Sequence, residues 1–292
     1  MSLFLASIGF GVVTASVLAI SAVGFTVQFG VTNVLNLAYA AVMIASAYVA
    51  YLINQLGHGQ SVWLGMVVAA AFGALVSLVI NKYIYAPFQR RETSSTAVVI
   101  VSLGVLLIIE YTVQALEGAA NVSYTMSQGA TVTFGGLLLT VVQLVIIGLS
   151  LLFMVGLHLM LRYTRFGKAM RATAADRTLA RNCGIRTDRV VTLACLLTGA
   201  LCGVAGTVFA INSGSFGATS ADIFLVLILA AVFLGGPGQP YGAMLGALVI
   251  GVATEVSAVF ITSDYKYVTA FVILLVILAV RPRGLFNAGA IG

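Results

Sequence analysis

Long apolar runs alternate with short polar interruptions along almost the whole chain. Nine runs are long and predominantly apolar, and they cover residues 4–28, 33–54, 61–84, 96–116, 134–161, 190–211, 222–235, 241–261 and 267–281. A helix needs about 20 such residues to cross the hydrocarbon core of a bilayer. The pattern therefore predicts an all-α integral membrane protein, a polytopic helical bundle of about 8–10 transmembrane segments that forms a single domain over residues 1–292.

Two interruptions lie between apolar runs without providing a charged loop. They are QFGVTNVLN, from Gln28 to Asn36, and LGGPGQPYG, from Leu234 to Gly242. Glycine, asparagine and proline disfavour a continuous helix. Irregular backbone at membrane depth persists only where protein buries it or a cavity hydrates it. The two stretches are either broken helices beside a transport pathway or short interfacial turns.

Small residues at helical spacing favour close packing between membrane helices. Gly199 and Gly203 form one GxxxG motif, and Gly242 and Gly246 form another. Such pairs let two backbones approach closely. The motif alone does not distinguish packing within the chain from packing against a partner.

The composition agrees with membrane insertion. Charged residues make up 8% of the 292 residues, against about 25% in a soluble domain. Residues 162–189 hold eight basic and two acidic residues, and so account for the whole net charge of +6. With nine crossings, 13 of the 14 basic residues fall on one side of the membrane and only Lys266 falls on the other. Because basic residues favour the cytoplasmic side, this predicts an external N-terminus and a cytoplasmic C-terminus.

The basic loop itself is rich in helix-forming residues. Asn182 and Gly184 suit the end of a helix, and Thr187 or Asp188 suits the start of the next span. We therefore expect one short cytoplasmic helix through the middle of the loop, which either docks on a cytosolic partner or anchors the chain to anionic headgroups. The loop lacks interleaved aromatics, which argues against nucleic-acid binding.

A few polar residues within the spans are candidates for a solute pathway. An intramembrane carboxylate is costly, which makes Glu110 and Glu255 functional candidates, although each could instead be a hydrogen-bonded structural acid. Gln28, Asn33 and Asn36 bring amide groups to the first interruption. Asn33 and Asn36 could cap a broken helix or face a polar solute.

No chemistry beyond transport is indicated by the remaining residues. The chain contains no CxxC motif and no GxxxxGK[ST] loop, and its two histidines are far apart in sequence. We therefore expect no metal, no cofactor and no ATP site of the P-loop type. The cysteines are expected to be small packing residues.

Several stretches together resemble a known family. They are GFTVQFGVTNVLNLAYAAVMIASAYVAY, PFQRRETSSTAVVIVSLGVLLIIE, RFGKAMRATAADRTLARNCGIRTDRV, AAVFLGGPGQPYGAMLGALVIGVATE and the closing RPRGLF. In this order they resemble the branched-chain amino acid (Liv-type) ATP-binding cassette (ABC) importer permeases over nearly the whole chain.

The resemblance implies a bacterial inner-membrane permease subunit that is not itself an enzyme. It implies a second homologous permease subunit, two cytosolic ATP-binding subunits and an external substrate-binding protein as partners. The loop at about 162–189 would be the coupling loop that presses into an ATP-binding subunit. Its matching residues, with flanking ones assigned by position, are Arg171, Ala174, Ala175, Asp176, Leu179 and Gly184.

One departure concerns the substrate. Many relatives carry His-Gly-Glu after the first signature, whereas this chain has Tyr39-Ala40-Ala41-Val42. The solute could therefore be urea, a short amide or an aromatic acid rather than a branched-chain amino acid. A stand-alone secondary transporter that uses Glu110 or Glu255 as a proton site and a passive channel are the rival hypotheses, and both predict transport by the lone chain.

Overall fold

The computed structural model describes residues 2–56, 62–90, 94–124, 131–134, 137–260, 265–281 and 284. The helices, in chain order, are α1 (Ser2–Thr32), α2 (Ala38–Leu56), α3 (Val62–Ile80), which continues as a π-helical turn (Asn81–Tyr85), α4 (Ala86–Arg90), α5 (Ser95–Glu117), α6 (Val141–Tyr163), α7 (Arg165–Ala175), α8 (Arg177–Asn182), α9 (Thr187–Ser213), α10 (Ser220–Gly235), α11 (Pro240–Phe260) and α12 (Lys266–Val280). A short hairpin of β1 (Thr131–Phe134) and β2 (Leu137–Thr140) precedes α6.

The polytopic helical bundle is confirmed. Within the described residues, seven helical stretches are long and apolar enough to cross a membrane, and α10 and α12 are shorter apolar helices. These nine elements match the nine apolar runs one to one. The run expected at 134–161 starts too early, because residues up to Thr140 belong to the hairpin, and Thr140 with Gln143 forms the capping box that begins α6.

Three helices form the centre of the bundle. Most residues of α1, α2 and α9 are buried within the protein, whereas α3, α5, α6, α11 and α12 carry most of the exposed large apolar side chains. In a membrane protein, such outward apolar faces suit contact with lipid or with another membrane subunit. The first interruption joins two of these three central helices, at the end of α1 and the start of α2.

Glycines allow the central helices to approach closely. A Cβ atom at Gly203 would collide with the carbonyl oxygen of Ala69, and one at Gly199 would lie 2.5 Å from that of Gly73. Both GxxxG motifs pack within the chain, since Gly242 and Gly246 face α10 in the same way. The sequence left open whether these motifs pack within the chain or against a partner protein. In the structure both motifs pack within the chain.

Candidate functional site

The first interruption separates α1 from α2 through a left-handed residue. Asn33 has a φ of +52° and is the only non-glycine residue with positive φ in the described part of the chain. Its backbone N–H donates to the Phe29 carbonyl at 2.7 Å, which closes the last turn of α1. Asparagine tolerates this conformation better than other side chains do. Asn33 thus ends the helix while its side chain stays exposed.

The second interruption separates α10 from α11 and is made of glycine and proline. Gly236 and Gly238 have φ values of +100° and +83°, which suit residues without a Cβ. Pro240 is the first residue of α11, where its missing N–H costs nothing. The residues that predicted a helix break in the sequence are the residues at which the chain turns.

The two interruptions meet in space. A Cβ atom built on Gly30, near the end of α1, would lie 3.6 Å from the Cα of Gly238. Along their length α1 and α11 run side by side, with Gly251 against Ala15 farther from the break. Two segments more than 200 residues apart in sequence therefore form one irregular region.

A cavity of about 1590 Å³ lies beside this region. Its walls include the end of α1 and the following turn, the α10–α11 turn, and residues of α6 and α7. Asn33, Arg171, Ala174 and Ala175 all line it. Candidate pathway and candidate coupling residues, which the sequence separates by about 140 positions, thus share one space.

The cavity lining is electropositive. Of the described residues that line it, Arg162, Arg171 and Arg177 are basic and none is acidic. Amide groups of Asn33 and Gln89 add hydrogen-bonding capacity. Arg177 is paired with Asp188 at 3.1 Å, so the positive potential of the lining comes mainly from Arg162 and Arg171. That potential favours a carboxylate over a cation within the cavity.

Gln28 and Asn36 lie behind the cavity wall instead of in it. The Asn36 amide donates to the Gln28 side-chain oxygen at 3.3 Å and accepts from the Tyr85 hydroxyl at 2.5 Å. All three side chains are almost fully buried. Ser102 on α5 accepts from the Leu37 N–H at 3.2 Å, so the open backbone after α1 is satisfied by a neighbouring helix.

The two candidate carboxylates lie elsewhere. Glu255 on α11 accepts from Thr14 at 3.1 Å and pairs with Lys266 at 3.2 Å, and it does not line the cavity. Glu110 is buried on α5, and one of its oxygens has no hydrogen-bond partner. The structure therefore does not bring Glu110 and Glu255 together with the amide-bearing residues.

The basic loop folds as two helices rather than the single one expected. Asp176 ends α7 and caps α8, because its side chain accepts from the N–H groups of Thr178 and Leu179 at 2.8 and 2.9 Å. Local hydrogen bonding by aspartate competes with helix continuation, which explains the division. Gly184 has a φ of +85° and ends α8 as predicted. The N-cap of α9 is Arg186 rather than Thr187 or Asp188, and it makes no side-chain cap.

The apolar and cysteine residues of the loop and of α9 differ in their exposure to solvent. Leu179 is 61% exposed although it is apolar, and Cys183 is exposed, in contrast to the expectation that all three cysteines pack. Cys195 and Cys202 on α9 are fully buried, as expected.

Some residues of the site escaped sequence reasoning. His158 on α6 is hydrogen-bonded to Tyr241 on α11 at 2.9 Å, and both line the cavity. Gln89 and Tyr85 connect α4 and the π-helical turn to the first interruption. Their only sequence signal was polarity near the end of a span, a feature that many interfacial residues share.

The opposite end of the bundle is closed by aromatic side chains. Tyr124 donates to the Ala47 carbonyl at 2.8 Å and packs against Phe216, while Val122 pairs with Phe216 through their backbones. Burial raises the pKa of the Tyr124 hydroxyl above its ordinary value. The described residues contain no group of three or more histidine, cysteine or acidic side chains that could hold a metal ion.

Comparison with known proteins assigns the chain to a family. The family model of the branched-chain amino acid transport system permease component matches residues 7–279. The chain belongs to this permease family. The LivH permease protein of the high-affinity branched-chain amino acid transport system of Salmonella typhimurium is 30% identical over 95% of this chain and 93% of its own length.

Other permease relatives agree with that assignment. BraD of Pseudomonas aeruginosa is 27% identical over 95% of this chain and 94% of its own length. A probable LivH protein of Methanocaldococcus jannaschii is 28% identical over 94% and 90%. No solved structure matches the chain. The chain is thus a multi-pass membrane permease, as the family resemblance implied.

Proposed function

We propose that this chain is the transmembrane subunit of an ABC importer for branched-chain or related amino acids. The cavity carries the proposal, because it is bounded both by the two membrane interruptions and by the basic-loop helix α7. A solute path and a surface for a cytosolic motor would then adjoin each other. The whole chain forms one permease domain in the cytoplasmic membrane, with its C-terminus in the cytoplasm.

Membership of the permease family supports the set of partners that an ABC import system needs. A second homologous permease subunit would complete the path, two ATP-binding subunits would contact α7 and α8, and an external protein would deliver the solute. The relatives LivH and BraD, which are named as permease proteins of branched-chain amino acid transport systems, support branched-chain amino acids as the solute. The arginine-lined cavity also suits the carboxylate of an amino acid or of an aromatic acid, which urea and short amides lack.

Neither candidate proton site of the rival secondary-transport hypothesis lines the cavity. Glu255 is already paired with Lys266 and lies away from the cavity, so it is poorly placed to exchange protons with a solute path. Glu110 has no position in the cavity lining either. ATP-driven import therefore fits the placement of the charged groups better than proton coupling does.

Isolation of the native assembly tests the proposal. We expect the chain, extracted in mild detergent, to copurify with a P-loop ATPase and a second permease, identified by mass spectrometry. The reconstituted assembly should take up branched-chain amino acids only with ATP and the binding protein. Uptake by the lone chain would instead favour a secondary transporter or channel.

A charge substitution tests the docking surface. Ala175→Asp should abolish copurification of the ATPase, because a new carboxylate at the exposed end of α7 opposes docking. Asn121→Asp, which adds the same charge at the opposite end of the bundle, should leave copurification unchanged. Normal assembly and transport by Ala175→Asp would refute the docking role of α7.

A further inference from the structure

A continuous line of polar contacts connects α8 to the first interruption. Arg177 donates to the Asp188 carboxylate at 3.1 Å and to the side-chain oxygen of Gln89 at 3.1 Å. Gln89 donates from its amide nitrogen to the Thr32 carbonyl at 3.3 Å. Four residues from four different elements thus form one relay, which we call the Arg177–Gln89 relay.

The chemistry of the partners fixes the direction of each bond. A guanidinium only donates and a backbone carbonyl only accepts, so the intervening side chain must accept on one side and donate on the other. A primary amide meets both requirements. Glutamate could accept from Arg177 but, when ionised, could not donate to Thr32, and leucine could do neither.

At one end the relay reaches the C-terminal end of α1. Thr32 is the last residue of that helix, and its carbonyl is among the last four that have no partner within the helix. Its hydroxyl donates to the Gln28 carbonyl at 2.8 Å and accepts from the Val34 N–H at 3.3 Å. Gln89 therefore caps the helix end that forms one wall of the cavity.

At the other end of the relay, the Asp188 carboxylate contacts α8 near both ends of that helix. Arg177 is the first residue of α8, and Arg181 in its last turn lies 3.6 Å from the same Asp188 carboxylate. Between them, Leu179 is exposed on the helix. A displacement of α8 by a bound partner would therefore change the Arg177 contacts directly.

We propose that Gln89 is a positioning residue that transmits movement of α8 to the end of α1 and so couples ATP hydrolysis to the opening of the cavity. This inference rests on the proposed importer function. The bond from Arg177 to Gln89 is charge-assisted and therefore stronger than a neutral one, so it orients the Gln89 amide whose nitrogen bonds to the Thr32 carbonyl.

The test compares the solute moved per ATP hydrolysed, in proteoliposomes that contain the complete copurified assembly and branched-chain amino acid. Gln89→Leu removes both bonds at similar volume. We expect this ratio to fall about fivefold or more, in the range typical of coupling between sites, while ATP hydrolysis continues. Gln114→Leu, the same change on the part of α5 outside the cavity, should keep the wild-type ratio.

A second variant keeps the test decisive if Gln89→Leu fails to assemble. Gln89→Glu preserves the Arg177 partner but loses the donor to Thr32, and we expect the same fall in the ratio. A variant that lowers uptake and hydrolysis in equal proportion, or that couples like the wild type, would overturn the positioning role. Absence of ATP-dependent uptake in the wild type would instead refute the importer function itself.

Discussion

Individual polar residues at the first interruption have separable roles. Asn33 ends α1 with left-handed backbone and also faces the cavity, whereas Asn36 is buried and bonded to Gln28 and Tyr85. The sequence placed all of these amides at a break but could not tell capping from solute contact. That distinction depends on which side chain faces the cavity, and only the packing of α1 against its neighbours determines this.

Substitution of Asn33 separates its two roles. Asn33→Gly should keep thermal stability, because glycine adopts the left-handed conformation freely, whereas Asn33→Ala should lose about 1–2 kcal/mol. Both variants remove the amide from the cavity, and we expect both to lower uptake. Thermal unfolding in detergent and uptake by the reconstituted assembly measure the two effects. If Asn33→Gly transported like the wild type, the amide would be a helix cap and nothing more.

Among the helices, α9 and α3 make a close contact that depends on two glycines of α9. The spacing of Gly199 and Gly203 predicted a close contact, but the partner helix was not apparent from sequence. Both glycines face α3, where carbonyl oxygens occupy the space that a side chain would need. The basic loop was predicted only in part. Its many helix-forming residues indicated one continuous helix, whereas Asp176 divides it into α7 and α8.

A larger side chain at Gly203 should prevent this packing. We expect Gly203→Val to cost about 3 kcal/mol or more, because a Cβ there collides with the Ala69 carbonyl and the backbones must separate. Gly148→Val is the matched control, since a Cβ at Gly148 meets no atom within 4 Å. Size-exclusion profiles and thermal unfolding in detergent provide the measurement. Equal stability of the two variants would contradict the packing role.

The cysteines of the chain make it possible to measure the orientation of the whole molecule in the membrane. Cys183 is exposed beside α8, while Cys195 and Cys202 are fully buried, so the native chain has one accessible thiol among the three. The distribution of basic residues predicts that this thiol lies in the cytoplasm. The prediction applies equally to the C-terminus, which the same charge rule places on that side.

Thiol labelling therefore tests the orientation without an engineered cysteine. A membrane-impermeant maleimide should label Cys183 in inside-out vesicles stripped of peripheral proteins, and should not label it in right-side-out vesicles. Cys183→Ser should abolish the signal, because the remaining cysteines are inaccessible. Labelling from the external side would reverse the orientation proposed for the chain.

The sequence by itself determined the class, the apolar helices, both interruptions and the family, because each follows from local composition or from residue order. Hydropathy over about 20 residues decides whether a segment enters a bilayer, and glycine, proline and asparagine decide where its helix ends. Only the tertiary structure decided that Gly30 meets Gly238, that Glu255 pairs with Lys266, and that Gln89 joins Arg177 to Thr32. These contacts depend on the rotation and depth of whole helices, which packing sets and local patterns do not encode.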